Sequence, residues 1–275
     1  MKIIEIQHVS FVYNLLQMEN VMNQFESYLF GLILTDGSVY LTTRNRGKIT
    51  IEIQRSDIGL LEKIQQYIPE SKVSTRKRNT NFKKDYESAI WSNHQLSFRT
   101  QMFNWGLPKH NKSIIGTTPN TDYSKSDFWR GVYDGNGSIG FTKQNEPFIS
   151  LTTASKPLKN ELCKLLLEQF NIHKNVNPNN RDHVYNIVLK NEDAIEFCNF
   201  LYNNATIYLQ RKHNDYQQIR TWKRTKKRMK QQSWSPDEIK YIQTHTIIDS
   251  MQHLHRTERS IKMKLWRLNK QSNNF

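Results

Sequence analysis

Tyr28-Leu-Phe-Gly31-Leu-Ile-Leu-Thr-Asp36-Gly37-Ser38-Val39 recurs one hundred residues later as Phe128-Trp-Arg-Gly131-Val-Tyr-Asp-Gly-Asn136-Gly137-Ser138-Ile139. Two glycines, a serine and a β-branched residue coincide, and an aromatic leads both copies. Each copy reads as a helix that ends where Gly37 or Gly137 leaves the helical conformation, so residue 36 or 136 is held at the helix tip. Gly31 and Gly131 carry no side chain and lie on the same helices, which lets two helices approach closely. Packed together, the helices bring both polar tips side by side, and a pair of tips carrying carboxylates makes a divalent-metal site.

Outward from these segments the two copies continue in step. Ile49–Ile53 and Phe148–Thr152 alternate apolar and polar residues and read as strands. Each precedes an amphipathic helix, from Ser56 to Ile68 and from Ser155 to Phe170, with Ser56 and Ser155 as expected N-caps. A further strand and helix are expected near Ala89–Gly106 and Val184–Tyr202. Each half therefore reads α-β-β-α-β-β-α, one strand being weakly marked. The fold class is α/β (α+β), a duplicated unit with pseudo-twofold symmetry in one chain, so a monomer is expected.

The 275 residues hold 36% apolar and 11% aromatic side chains, enough for a core, and carry a net charge of +15. That excess points to a polyanion, either nucleic acid or an acidic membrane surface. It is uneven: residues 1–210 hold 24 basic and 20 acidic side chains, whereas residues 211–275 hold 16 and 5. The longest uncharged apolar run, Tyr28–Leu34, is far short of the roughly 20 residues a membrane span needs, so no membrane partner is expected. The first residues are broken by Glu5, Gln7, His8 and Asn14 and lack a small-residue cleavage site, which argues against secretion. The two cysteines, Cys163 and Cys198, form no CxxC, which excludes a disulfide scaffold and a Cys-based zinc module and fits a reducing cytoplasm or organelle matrix. Residues 1–19 carry no interpretable motif.

The duplicated segments resemble the LAGLIDADG homing endonucleases. Leu29–Gly37 is similar to the family's nine-residue signature at its glycines, its apolar positions and its final acid. In the second copy, Trp129–Gly137, the final acid falls on Asn136. The resemblance covers about residues 20–220. It implies saddle-shaped antiparallel sheets lying in the major groove of double-stranded DNA. Helix tips would meet over the minor groove, with Mg²⁺ as cofactor. It implies Asp36 and Asn136 as metal ligands, with the carbonyl of Thr35 or Gly135 as an auxiliary. Lys112, in Gly106-Leu-Pro-Lys-His-Asn-Lys112-Ser113, and Lys212, in Tyr208-Leu-Gln-Arg-Lys212, look like the family's basic residues beside the scissile phosphate. Each follows its own tip residue by 76 positions. The catalytic set expected is thus Asp36, Asn136, Lys112 and Lys212.

An amide at position 136 brings a carbonyl dipole where an acid would bring a full charge, so it binds Mg²⁺ more weakly. Asp134 lies about 200° round the helix from Asn136 and so points elsewhere. Three outcomes follow: double-strand cleavage, a strand-selective nickase, or a DNA-binding regulator that has lost catalysis. A fourth reading, an RNA-binding helper of intron splicing, follows from the same family resemblance.

After residue 220 the composition changes. Residues 221–232 form a basic linker, with Lys223, Arg224, Lys226, Lys227 and Arg228 as expected phosphate contacts. Ser235-Pro-Asp-Glu238 is a helix start, a short helix fits Ile247–His255, and a third runs from Thr257 to Leu268. Ile261, Leu265 and Leu268 form its buried side, and Arg259, Met263 and Arg267 face away beside Lys262 and Trp266. Three helices with a basic last one describe a small all-α helix-turn-helix domain over 233–270. The segment resembles the Myb/SANT-like modules appended to mobile-element endonucleases. Arg259, Lys262, Met263 and Arg267 are its expected DNA contacts. On the main domain (halves 20–122 and 123–220) the candidates are Arg44, Arg46, Lys48, Arg76, Lys77, Arg78, Lys143 and Arg181.

Overall fold

Asn23 opens the first signature helix, α1 (Gln24–Asp36), with a capping box: its Oδ1 accepts from the Glu26 amide and its own amide donates to the Glu26 carboxylate, both at 2.9 Å. The computed structural model of the chain describes residues 21–79, 85–224 and 233–272. Contacts divide it into two units, Met1–Lys223 and Arg224–Phe275.

In the first half of the larger unit α1 is followed by β1 (Gly37–Leu41), β2 (Gly47–Gln54), a single 3₁₀ turn, α2 (Ile58–Tyr67), β3 (Lys72–Arg78), β4 (Tyr86–Asn93) and α3 (Leu96–Asn104). This is the αββαββα order expected. All pairings are antiparallel, in the order β1-β2-β4-β3. Ile49, Ile51 and Ile53 alternate toward the core with Ala89 and Trp91. The strand period of two sends Ser38, Tyr40, Lys48, Thr50 and Glu52 to the opposite face. Ser56 does not cap α2: it lies within the 3₁₀ turn, and no side chain caps that helix. The turn already supplies backbone partners there, so the expected cap has no role.

A four-residue helix, α4 (Lys112–Ile115), leads to the second half. This comprises α5 (Lys125–Asn136), β5 (Gly137–Phe141), β6 (Pro147–Thr153), α6 (Lys156–Phe170), β7 (Tyr185–Lys190), α7 (Glu192–Tyr202) and α8 (Gln210–Ile219). Ser155 caps α6 by accepting from the Leu158 amide at 3.1 Å, with Pro157 in the first turn. Among the described residues the second sheet has three strands, β5-β6-β7, and the fourth strand expected by analogy with the first half does not form there. In its place, residues 172–184 contain Pro178 and an Asn-rich turn closed by the Asn179 amide on the Val184 carbonyl at 2.9 Å. Proline has no amide to donate, and asparagines favour local turns over a ladder.

The signature helices α1 and α5 form the centre of this unit. Ser27–Leu34 and Asp127–Asp134 are buried on every face, because each helix packs on its partner as well as on its own sheet. A Cβ at Gly31 would overlap the Phe128 carbonyl oxygen, and one at Gly131 would overlap the Tyr28 carbonyl oxygen. The two backbones are therefore in contact, which only glycine permits at the crossing. Outside the crossing, the Met22 amide donates to the Asp122 carbonyl at 2.9 Å, and Arg211 pairs with Asp57 across the halves at 3.1 Å.

The smaller unit contains α9 (Pro236–Thr244), α10 (Ile247–Leu254) and α11 (Glu258–Ser272). Ser235 and Glu238 form a capping box, as the Ser-Pro-Asp-Glu start requires. Ile242 and Ile261 are buried between the helices. Arg256 lies over the Trp234 ring at 4.0 Å and pairs with Glu238 at 2.8 Å, tying the start of α9 to the start of α11.

Candidate metal and nucleic-acid site

The helix crossing delivers residues 35–36 and 135–136 to one place. A Cβ at Gly135 would meet Thr35 Oγ1 and would lie 3.4 Å from Asp36 Cγ. Asp36 is half-buried, and Asn136 is exposed. A cavity of about 330 Å³ is bounded by Thr35, Lys112 and Asn136.

Both lysines named from the sequence reach the tips, each by capping the end of its own signature helix. Lys112 Nζ donates to the carbonyls of Leu34 (2.9 Å) and Thr35 (2.8 Å). Lys212 Nζ donates to those of Tyr133 (2.5 Å) and Asp134 (2.7 Å), with Gly135 at 3.5 Å. The final carbonyls of a helix have no intrahelical donor and carry the negative end of its dipole, so an ammonium there satisfies both needs. Burial lowers each lysine to about 8, opposed for Lys112 by Asp36 and for Lys212 mainly by Asp134. Burial also raises the Asp36 pKa, opposed first by Lys212 and then by Lys112 and Arg211. The tips thus exchange partners. Each lysine holds the carbonyls of its own helix, while Asp36 feels Lys212 most strongly among the charges and Asn136 shares a cavity with Lys112.

Asp134 is no substitute ligand. Its carboxylate is fully buried and accepts from Tyr28 Oη (2.8 Å), Tyr202 Oη (2.7 Å) and the Leu209 amide (2.7 Å). Burial raises its pKa against the pull of these donors and of Lys212. Leu209 immediately precedes α8, so Asp134 anchors the helix that carries Arg211 and Lys212. In the first half the corresponding residue is Leu34, packed near Gly116 without a charge. Sequence reasoning placed Asp134 on the correct face but did not find its role, because its three donors are scattered over residues 28, 202 and 209.

Among the described residues nothing donates a hydrogen bond to the Asp36 carboxylate, and no group of three His, Cys, Asp or Glu side chains gathers anywhere. The oxygen donors at the tips are one desolvated carboxylate, one exposed carboxamide and the Thr35 and Gly135 carbonyls. The Thr35 carbonyl is already bonded to Lys112, whereas Gly135 has only the long Lys212 contact. A partly buried acid with no donor, close to Thr35 Oγ1 and the Gly135 backbone, has the hard-oxygen chemistry that suits a divalent cation such as Mg²⁺.

The other basic candidates fall into distinct settings. Arg44 and Arg46 are exposed in the β1–β2 turn, and Lys143 is exposed in the β5–β6 turn. Lys48, Arg76 and Arg78 share the outer face of the first sheet, where Arg78 pairs with Glu52 at 3.0 Å. Lys77 points the other way and pairs with Asp85 at 3.4 Å. Arg181 pairs with its neighbour Asp182 at 2.7 Å. Lys223 is exposed and Arg224 half-buried, while Lys226, Lys227 and Arg228 lie outside the described residues, as do residues 1–19. In the smaller unit Arg259, Lys262, Met263 and Arg267 are all exposed on α11, with Lys262 paired to Glu258 at 2.5 Å. Arg99 and Arg130, which sequence reasoning did not single out, are buried and structural: Arg99 donates to the Gly47 carbonyl (2.8 Å) and Arg130 to that of Ile207 (2.7 Å).

A family model described as a LAGLIDADG-like domain matches twice, over residues 24–101 and 124–201. Among solved structures the chain is similar to the homing endonuclease I-WcaI bound to its DNA recognition sequence. The identity is 15% over 71% of this chain and 87% of that one, with a TM-score of 0.51. It is also similar to the LAGLIDADG meganuclease I-AabMI bound to uncleaved DNA, at 16% identity over 72% and 89% with a TM-score of 0.47. No curated protein sequence matches the chain. With the duplicated unit, the glycine-mediated helix crossing and the paired tips all in place, the chain belongs to the LAGLIDADG-like domain family and has the fold of its homing endonucleases.

Proposed function

We propose that the protein is a site-specific DNA endonuclease that hydrolyses one phosphodiester bond in each strand of a double-stranded site. The observation that carries this reading is the meeting of Asp36, Asn136, Lys112 and Lys212 at the tips of two helices whose crossing nothing but glycine allows. Asp36 and Asn136, with the Gly135 carbonyl, would hold Mg²⁺, which supplies Lewis-acid stabilisation of charge on the phosphate oxygens. The chain's own residues do the rest. Asp36 accepts a hydrogen bond from the attacking water and orients it. Lys112 and Lys212 place two positive charges beside the phosphate at no cost in reorganisation, since the helix carbonyls already fix them. The exposed cations of the first sheet and of α11 supply phosphate and base contacts, α11 acting as the reading helix of a helix-turn-helix module.

Asn136 favours a second reading within the same class, in which one strand is cut more slowly than the other. The comparison of native protein with Asn136→Asp on a supercoiled plasmid carrying the target separates the two. Strand-biased nicking predicts that nicked circles accumulate before linear product and that Asn136→Asp abolishes the lag. Equal cutting predicts no lag in either protein.

A further inference from the structure

The register of the strands places very different side chains on the outer faces of the two sheets. On the first, Ser38, Thr50, Ser92 and Lys72 form one row, Tyr40 and Lys48 another, Glu52, Ile90 and Ser74 a third, and Gln54, Ser88 and Arg76 a fourth, with Arg78 at the edge. Among the described residues Lys48, Lys72, Arg76 and Arg78 are opposed there by Glu52 alone, and Glu52 is engaged by Arg78 and by Ser88 Oγ. On the second sheet, Ser138, Ser150 and Val188 form one row, Gly140, Phe148 and Lys190 the next, and Thr152 and Asn186 the third. Lys190 is the one formal charge on that face among the described residues. The inner faces, by contrast, match closely: Ile49, Ile51 and Trp91 in one half, Ile149, Leu151 and Leu189 in the other.

The missing fourth strand widens the difference. In the first half that strand, β3, contributes Lys72, Arg76 and Arg78 to the outer face. In the second half β7 is an edge strand, and Lys174 spends its ammonium on the Val188 carbonyl at 2.9 Å. A lysine on an open edge blocks further strand pairing. It also removes one cation from those available to a ligand.

Base edges in the DNA major groove are told apart by matching chemistry. Arginine and lysine bond the O6 and N7 of guanine, asparagine bonds the N6 and N7 of adenine, and apolar side chains pack on the thymine methyl. We propose, building on the DNA-endonuclease reading above, that the two sheets read chemically unlike half-sites. The first sheet takes a guanine-containing half through Lys48, Lys72 and Arg76. The second takes an A·T-rich half through Asn186 and the apolar pair Phe148 and Val188. The same division makes the first half-site the salt-sensitive one, because its side chains also neutralise phosphates.

The test is a binding selection with the full chain in EDTA, using a pool of duplexes with a randomised core, followed by the same selection with Arg76→Ala and Val188→Ala. The expected site has one A·T-rich flank and one guanine-bearing flank. Arg76→Ala relaxes a guanine position in the second of these and weakens binding about tenfold, and Val188→Ala relaxes a thymine position in the first. An enriched site with guanines spread evenly over both flanks overturns the inference and leaves the endonuclease reading standing, as does finding both substitutions acting on one flank. Retention of DNA with no enriched sequence overturns the inference together with the site-specific reading beneath it.

Discussion

Lys112 and Lys212 show how a single residue type serves structure and chemistry at once. In the unfolded chain each ammonium holds its proton to about pH 10.5, and in the folded chain burial brings that down to about 8. Between these values the unfolded state binds more protons, so the two groups add stability to the fold as pH rises from 8 toward 10.5. Their effect on catalysis has the opposite sign, because the positive charge facing the phosphate is lost over the lower part of that range. We therefore expect kcat/KM for DNA cleavage to fall as pH rises through about 8, since that ratio reports the free enzyme. A profile that stays flat to pH 9.5 and above contradicts a role for these charges. Asp134 is the residue-scale counterpart in the core. Its three donors make it an anchor for α8, and the charge it buries is answered by Lys212.

At the scale of elements the crossing of α1 and α5 decides everything downstream. An alanine methyl at Gly131 has to displace the Tyr28 carbonyl of α1, so the helices must separate or the backbone must shift. Forcing extra atoms into so tight a contact costs about 3 kcal/mol. Gly131→Ala should lower the urea midpoint accordingly, and DNA cleavage should fall further than stability does, because the tips part. A variant as stable and active as the native chain contradicts the close approach. This contact was legible in the sequence, since Gly31 and Gly131 sit five residues before the tip residues in a repeat of fixed offset. The first-half element order and the Ser155 and Ser235 caps were legible for the same reason: local spacing and hydrogen-bonding residue types determine them. The three-stranded second sheet was not. Symmetry argued for a fourth strand, and residues 172–184 do alternate buried Ile172 and half-buried Val176 with polar positions, yet Pro178 and the turn at Asn179 prevent pairing. The buried roles of Asp134, Arg99 and Arg130 were equally hidden, because the hydroxyls, backbone amide and backbone carbonyls that fix them lie mostly far away in sequence.

At the scale of the whole molecule, the positive charge is shared, +7 on residues 1–223 and +8 on residues 224–275, whereas the candidate site lies in the larger unit alone. Residues 1–210 are nearly balanced, and the last 65 residues hold 16 basic against 5 acidic side chains. Removal of residues 224–275 should weaken DNA binding and flatten its dependence on salt, because each lost phosphate contact reduces the slope of log K against log salt by about one. Cleavage at saturating protein should survive, since Asp36, Asn136, Lys112 and Lys212 all lie in the larger unit. Unchanged salt dependence contradicts a DNA-binding role for the smaller unit. The most direct measurement concerns the site itself. Purified protein is incubated with a supercoiled plasmid bearing the site it selects, with Mg²⁺ and then with EDTA, beside Asp36→Ala. The account predicts strand cleavage with Mg²⁺ alone, silence with EDTA, and silence from Asp36→Ala protein that still retards the same DNA on a gel. Intact plasmid from native protein that binds the site would contradict it and leave a DNA-binding protein built on a nuclease fold.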